Sequence, residues 1–560
     1  MKEMKYAVFL LLLGTISASV LPAQRPSADL VLTNGSIYTG DLRLGRVEAL
    51  AATQGKIVSV GTSEEIKHWV GPKTKVIDLR GRFVMPGFND SHVHLALASK
   101  QLQNVDLEGT RSIAEFQQRI RNRLKDFEPG EWIIGGGWDH SLLKEKRIPT
   151  KVDLDAVSTD HPIFLHRVDW HSAVANSRAL RLAGITQDTP DPAGGKIIRD
   201  ADGEPTGWLK DKAMDLVTRL IPPVSLERRK RGLLLVLTQA SRYGVTSIQD
   251  DSIRFDGWDS YLALRELKED DKLTARVTVM LPFEAPVDRA KEMQKQGGTK
   301  DSWLKTGALK AEADGSGGSL SAAMFEPFAN SPDNRGYMKI EPERLRKMVL
   351  ERDAAGFQIA LHAIGDRANR VVLDAYEAAI KRNKRRDRRH RVEHVQYLHR
   401  DDYGRFRELG VIASMQPVHL LAEIRWTSTI LGPEREYEAY ALNSILNSGA
   451  WIALGTDYPV EGLNPLRGIY AAVAREFEEG GPEGGWMPEE KISVEDAIRA
   501  YTLGSAYAEY EEHRKGTLVP GKFADVIVLS QDITQVPPGQ ILRTKVLLTI
   551  VGGKIVYQEE

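Results

Sequence analysis

Strand-like and helix-like runs alternate through most of this chain, which restricts it to an α/β fold built from repeated strand–helix units. Eight strand-like segments can be numbered. The first ends at His94, and the next three run Gly244–Gln249, Ala275–Met280 and Ala308–Glu312. Then come Gln358–His362, His390–His394, Val411–Met415 and Trp451–Gly455. Helical stripes lie between them. Leu345, Met348 and Val349 share one face before Gly356, and Ala368, Val372, Ala375, Tyr376 and Ala379 share another. Ser493 with Asp496 three residues on reads as a helix start. Eight such units predict a (β/α)8 barrel. Roughly 150 residues separate the first two strands, far more than a βα connection needs, so the region of about 97–225 is predicted as an inserted lid. The barrel is expected over 88–514.

Short strands of another style flank it. Asp29–Tyr38, Lys56–Val60 and Lys75–Leu79 precede the barrel; Ala524–Leu529, Val546–Val551 and Lys554–Tyr557 follow. We expect them to form one small β-sandwich from both ends of the chain, 28–87 with 515–560. At 560 residues the chain is too long for a single ordinary core, which fits a barrel with additions. A net charge of −1 offers no general attraction for nucleic acid, and the basic run Lys381–His390 reads as a solvated loop between a helix and a strand.

Residues 1–23 read as a secretory signal peptide. Lys2 and Lys5 precede the apolar block Tyr6–Leu13, and small residues follow through Ser19 and Ala23. The block is short for a bilayer, so no stable membrane span is expected after cleavage. Export to a periplasm or beyond follows, with an uncleaved N-terminal anchor as the alternative. The chain has no cysteine, so disulfides and thiolate ligands play no part.

Chemistry-bearing residues gather at predicted strand ends. His92 and His94, two apart, point the same way from the first strand. Lys310 lies in the fourth, His362 and His394 end the fifth and sixth, and Asp457 follows the eighth. In a barrel those ends surround one mouth, the place where barrel active sites lie.

These segments resemble the amidohydrolase superfamily, and specifically its family 3 branch, which includes N-substituted formamide deformylase-like enzymes. The resemblance rests on Pro86–His94, Gly135-Gly-Gly-Trp-Asp139, Arg167–His171 with Asn176, Gly194-Gly195 and Pro205-Thr-Gly207. It continues through Lys310–Gly315, His362–Arg367, Arg391-Val-Glu-His394, Ser414–Pro417, Gly455–Pro459 and Gly516–Asp525. The resemblance implies a metal-dependent hydrolase of a small-molecule substrate, with His92, His94, Lys310, His362, His394 and Asp457 holding one or two divalent ions, zinc being the expected metal. Neutral imidazole and carboxylate suit such an ion. An ammonium cannot ligate, so Lys310 would serve only if N-carboxylated; the alternative is an ion pair with Glu312 or Asp314. Metal-bound water ionises near neutral pH, and Asp457 is expected as the general base and acid in attack on a C–N bond other than a peptide bond.

Trp138, Asp139, His171, Asn176 and His419 are substrate-pocket candidates. Trp138 has insertion core as its alternative, His171 a structural hydrogen bond, and His419 a loop role. Trp170 stands where the family usually has glycine. Arg391 and Glu393 are expected to point away from His394 and orient neighbours, with His390 structural. A lactone or ester hydrolase with the same site is the near alternative to C–N cleavage. A non-catalytic periplasmic binding protein is the distant one. Oligomeric state is left open, with a homo-oligomer among the options.

Overall fold

The computed structural model describes residues 27–167 and 172–559. The predicted signal segment therefore lies outside the described residues. Eight parallel strands form the central sheet: β1 (Phe88–Val93), β2 (Val245–Asp250), β3 (Arg276–Pro282), β4 (Leu304–Glu312), β5 (Ile359–Ala363), β6 (Arg391–His394), β7 (Ile412–Met415) and β8 (Ile452–Leu454). They pair in sequence order, and a parallel bridge between Val93 and Tyr458 joins the last to the first. The chain thus closes into the expected barrel.

Helices sheathe the strands for the usual reason that parallel strands bury both faces. The helix Leu226–Arg242 turns Leu233, Val236, Leu237 and Ala240 onto the barrel, and Ser225 caps it by accepting from the Arg228 amide at 3.2 Å. The helix Asp366–Arg382 buries Ala368, Val372, Ala375, Tyr376 and Ala379, the stripe expected from sequence.

The sandwich also forms, with two strands not foreseen from the sequence, Arg46–Val47 and Ala49–Thr53, and one expected strand divided. Asp29–Tyr38 is not one strand: Asn34, at φ +53°, turns the chain, so Leu30–Thr33 and Ser36–Tyr38 enter different sheets. Phe83–Pro86 pairs antiparallel with Val526–Leu529, which joins the two ends of the chain in one sheet. Leu30, Leu32 and Leu50 of the four-stranded sheet pack on Val84, Val526 and Ile550 of the six-stranded one.

The insertion is a folded unit. It carries a six-stranded mixed sheet running from Val105–Asp106 to Gly195–Arg199, with a hydrophobic cluster on each face. Arg228 to Glu131 at 2.9 Å and Arg123 to the Leu102 carbonyl at 2.8 Å tie it to the barrel's flank. Among the described residues, no helix is long and apolar enough to cross a membrane.

Candidate metal centre

The closure of β1 on β8 assembles the site. The Asp457 amide donates to the His92 carbonyl at 2.8 Å, and the His94 amide donates to the Tyr458 carbonyl at 2.8 Å. Asp90 fastens the same seam, accepting from the Thr456 amide at 2.9 Å and the His92 amide at 3.2 Å. A Cβ on Gly455 would stand 2.7 Å from the His92 nitrogen, so only glycine lets the strands approach this closely. Asp457 adopts a left-handed φ of +58°, which turns its carboxylate towards the histidines.

Two ligand groups converge there and share Asp457. His92, His94 and Asp457 bring donor atoms within 4.8 Å of one another, as do His394, His419 and Asp457. Asp457 Oδ1 lies 3.0 Å from His94 Nε2 and 3.5 Å from His92 Nε2; Oδ2 lies 3.3 Å from His419 Nε2. The His362 ring stands beside His394 at 4.5 Å, its Nε2 3.0 Å from the Gly315 carbonyl.

Lys310 is buried below, 3.4 Å from Asp251. Neither partner foreseen for it is used that way. Glu312 pairs with Arg254 and Lys339, and Asp314 accepts from the amides of Ala323, Ile364 and Gly365. Asp251 was missed in the sequence, although the acidic pair Asp250-Asp251 closing a predicted strand was a readable signal.

Alternation along β6 also needs correcting. Arg391 and Glu393 do face inward, and Glu393 reaches His92 Nδ1 at 2.8 Å. His390 faces outward, 3.2 Å from Asp353 on the helix Pro342–Ala354. His394 should share that outward side, but a φ of +77° turns its ring back to within 5.0 Å of His92. A backbone turn, not strand parity, places it in the site.

Of the pocket candidates among the described residues, the structure brings only His419 to the ligands. Trp138 is fully buried in the insertion's core and donates to the Leu165 carbonyl at 2.9 Å. Asn176 is equally buried, capping a short helix through the Ala179 amide at 2.9 Å. Asp139 pairs with Arg167 at 3.1 Å. His171 lies outside the described residues.

The electrostatics suit a cation. Burial pushes the His92 imidazole's pKa down, and burial with His362 pushes His394 well down, so both stay neutral donors. Burial alone would raise Asp457, but His419, His94 and the other imidazoles outweigh it and hold the carboxylate well below its ordinary range. Glu393, raised by burial, is held at about 2 by Arg391 and His92. Burial would lower His94 and His419 as well, but Asp457 raises both against it, so a cation bound there would displace a proton that this carboxylate favours. Neutral imidazole and ionised carboxylate are the ligand forms. His92 Nε2, His419 Nε2 and Asp457 Oδ1 are buried with no hydrogen-bond partner in the chain. A divalent ion meets all three, so the residues fit a metal. A cavity of about 1020 Å³ lies elsewhere, on the flank between the helix Leu226–Arg242, the insertion and the sandwich.

A closed barrel with imidazoles and a carboxylate gathered at its C-terminal mouth, beside a sandwich drawn from both ends of the chain, defines a metal-dependent hydrolase. Residues 75–557 match the amidohydrolase family, and the chain belongs to it. It is 37% identical to the protein LONG AFTER FAR-RED 3 of Arabidopsis thaliana, covering 96% of this chain and 93% of that one. It is 28% identical to the N-substituted formamide deformylase of Arthrobacter pascens, covering 95% and 98%. Among solved structures, a metal-dependent hydrolase from Pyrococcus furiosus superimposes with a TM-score of 0.73 at 29% identity, covering 90% of this chain and all of that one.

Proposed function

We propose that this enzyme hydrolyses a C–N bond other than a peptide bond, of the amide, N-acyl or formamide type, in a small-molecule substrate. The observation that carries the reading is the set of unpartnered donor atoms on His92, His419 and Asp457 at the barrel mouth. His92, His94, His394, His419 and Asp457 would hold the metal, and their nitrogen and oxygen donors suit zinc. The expected ligand His362 stands beside His394 and would join them if its ring leaves the Gly315 carbonyl. A bound divalent ion polarises a carbonyl and makes water a competent nucleophile at neutral pH.

The chain supplies the rest. Asp457, ionised and flanked by imidazoles, accepts the proton of the attacking water and returns it to the leaving nitrogen, so one group serves both halves of the reaction. His419 Nε2 lies 3.3 Å from Oδ2, on the other oxygen of that carboxylate from His94. The relative acting on N-substituted formamides supports nitrogen over oxygen as the leaving atom. Two ligand groups sharing Asp457 leave room for one ion or two. A carboxylated Lys310 would have to part from Asp251, and the intact mass of the protein, about 44 Da heavier if carboxylated, distinguishes the two states. The order of basic, apolar and small residues before Ala23 supports export, which N-terminal sequencing of the protein recovered from its host tests.

Metal analysis of the purified protein, joined to a screen of N-formyl and N-acyl compounds against lactones and esters, tests the reading. Metal with turnover on the nitrogen compounds is expected. Turnover confined to lactones or esters moves the assignment to C–O bonds, and a protein that takes up no metal sinks it.

A further inference from the structure

The barrel is open beneath its metal ligands. A cavity of about 600 Å³ enters from the N-terminal face near Lys300 and runs inward past Lys305 and Ala308 to Gln249 and Arg391. Barrels of this kind ordinarily fill that space with layers of branched aliphatic side chains. Here the middle of the interior is held by Met280, Ala308 and Ala360, and two of those three are too small to close it.

The cavity ends on a side chain that is one residue removed from a ligand. Arg391 is only 1% exposed, and its guanidinium is spent on fixing neighbours. Nη1 donates to Gln249, and Nη2 donates to the Ser91 carbonyl at 2.8 Å, Ser414 Oγ at 3.0 Å and Glu393 Oε2 at 3.1 Å. Nε lies 2.7 Å from Glu393 Oε1. Glu393 thus accepts one hydrogen bond on Oε2 and has a close ion-pair contact on Oε1 from the same guanidinium, two contacts that restrain the rotation of the carboxylate as a point charge could not. Glu393 in turn meets Nδ1 of His92, leaving Nε2 as the free donor beside Asp457.

We infer that Arg391 is a positioning residue for the metal centre, acting through Glu393 on His92, and that it is reachable by small solutes from the barrel's rear. The inference rests on the metal-site reading above. Groups that orient a metal-bound histidine matter to affinity, and losing one typically costs about 10–100-fold.

Zinc affinity measured by chelator competition tests it, with circular dichroism as the check on folding. Arg391→Ala is expected to bind zinc about 10–100-fold more weakly, on that same basis. Guanidinium ion, well below denaturing concentrations, should enter the rear cavity and restore much of the loss. Ala308→Leu alone should leave zinc affinity unchanged, and added to Arg391→Ala it should block the rescue. Glu393→Gln keeps the shape of the side chain and should weaken zinc binding with no rescue. Wild-type affinity in a folded Arg391→Ala, or rescue that survives Ala308→Leu, overturns the inference. Should Arg391→Ala fail to fold, wild-type affinity in Glu393→Gln does so instead. A wild-type protein that binds no zinc fails the metal-site reading, a result distinct from either.

Discussion

The mouth and the floor of this barrel both bury charge, yet they leave it in opposite states. At the floor, Glu509 lies 2.6 Å from Lys515 and accepts from Asn89 at 2.8 Å, while Lys305 meets Glu511 at 2.7 Å. Each ionised group there has its counter-charge within the chain. At the mouth, donor and acceptor atoms of His92, His419 and Asp457 are buried and unmet. A buried polar atom without a partner costs about 1–3 kcal/mol, so a fold keeps several together only where something outside the chain completes them. Burial of charge therefore does not mark the site. Convergence does: at the mouth unmet imidazole nitrogens lie within 4.8 Å of one shared carboxylate, which separates a ligand site from a structural network of similar composition.

Removing the metal attacks the mouth alone and should have the largest effect. Dialysis against a chelator is expected to abolish turnover and to lower the unfolding temperature, because an ion bound only by the folded state stabilises it. Zinc added back should restore both; turnover that survives complete metal loss refutes the assignment of the mouth. Asp457→Asn comes next. It preserves shape while removing the proposed proton acceptor, and kcat should fall by about 10²–10⁴ with the fold intact. Near-normal turnover at unchanged metal content would rule out Asp457 as the proton-transfer group.

Glu509→Gln is the matching probe of the floor. It strands the buried Lys515 while Lys305 keeps Glu511, and breaking a buried pair costs about 3–5 kcal/mol. Chemical denaturation should show that loss, while kcat per folded, metal-loaded chain stays within a few-fold of wild type. Acid gives the sign. Burial would raise Glu509, but Lys515 and Lys305 hold it at about 2 against an ordinary 4.5. A depressed carboxylate contributes its full stability above the unfolded value and loses it as pH falls through the folded one. The difference between wild type and variant should therefore be constant above about pH 5 and shrink from 4.5 towards 2. A difference that grows on acidification contradicts the paired floor.

Much of the mouth was legible in the sequence, while the paired floor was not. The eight strands follow from period and turn residues, and strand ends collect His92, His94, His394 and Asp457 because a parallel barrel places all those ends at one rim. What escaped depends on backbone turns and on contacts between distant segments. Asn34 splits one β run between two sheets through a left-handed residue, for which the Asn34-Gly35 pair was a readable turn signal. His394 reaches the site against its strand's parity through a left-handed turn of its own. Asp251 meets Lys310 from another strand, so no local reading pairs them. Trp138, which lies in a motif shared with the family, belongs to the insertion's core because its N–H finds the Leu165 carbonyl there.

The smallest expected effect lies at the edge of the mouth. Phe255, on the short helix Ile253–Asp256 that follows β2, sets its ring 5.4 Å from His94 in an edge-to-face contact at 78°. It remains 51% exposed, so little of its apolar surface is buried and its loss should not unfold the chain. His94 is also held by the Asp251 carbonyl, 3.2 Å from Nδ1, which leaves the aromatic contact a secondary restraint on the ring. Aromatic pairs of this geometry contribute about 0.5–1.5 kcal/mol, or roughly two- to twelve-fold in a binding constant. Phe255→Ala should therefore weaken zinc affinity by about that factor. Its effect on kcat should be far below that of Asp457→Asn, and its effect on denaturation far below that of Glu509→Gln. A loss of kcat as large as that of Asp457→Asn would show that this exposed ring works on the substrate itself, and would extend the mouth from a set of buried unmet atoms to an aromatic wall beside it.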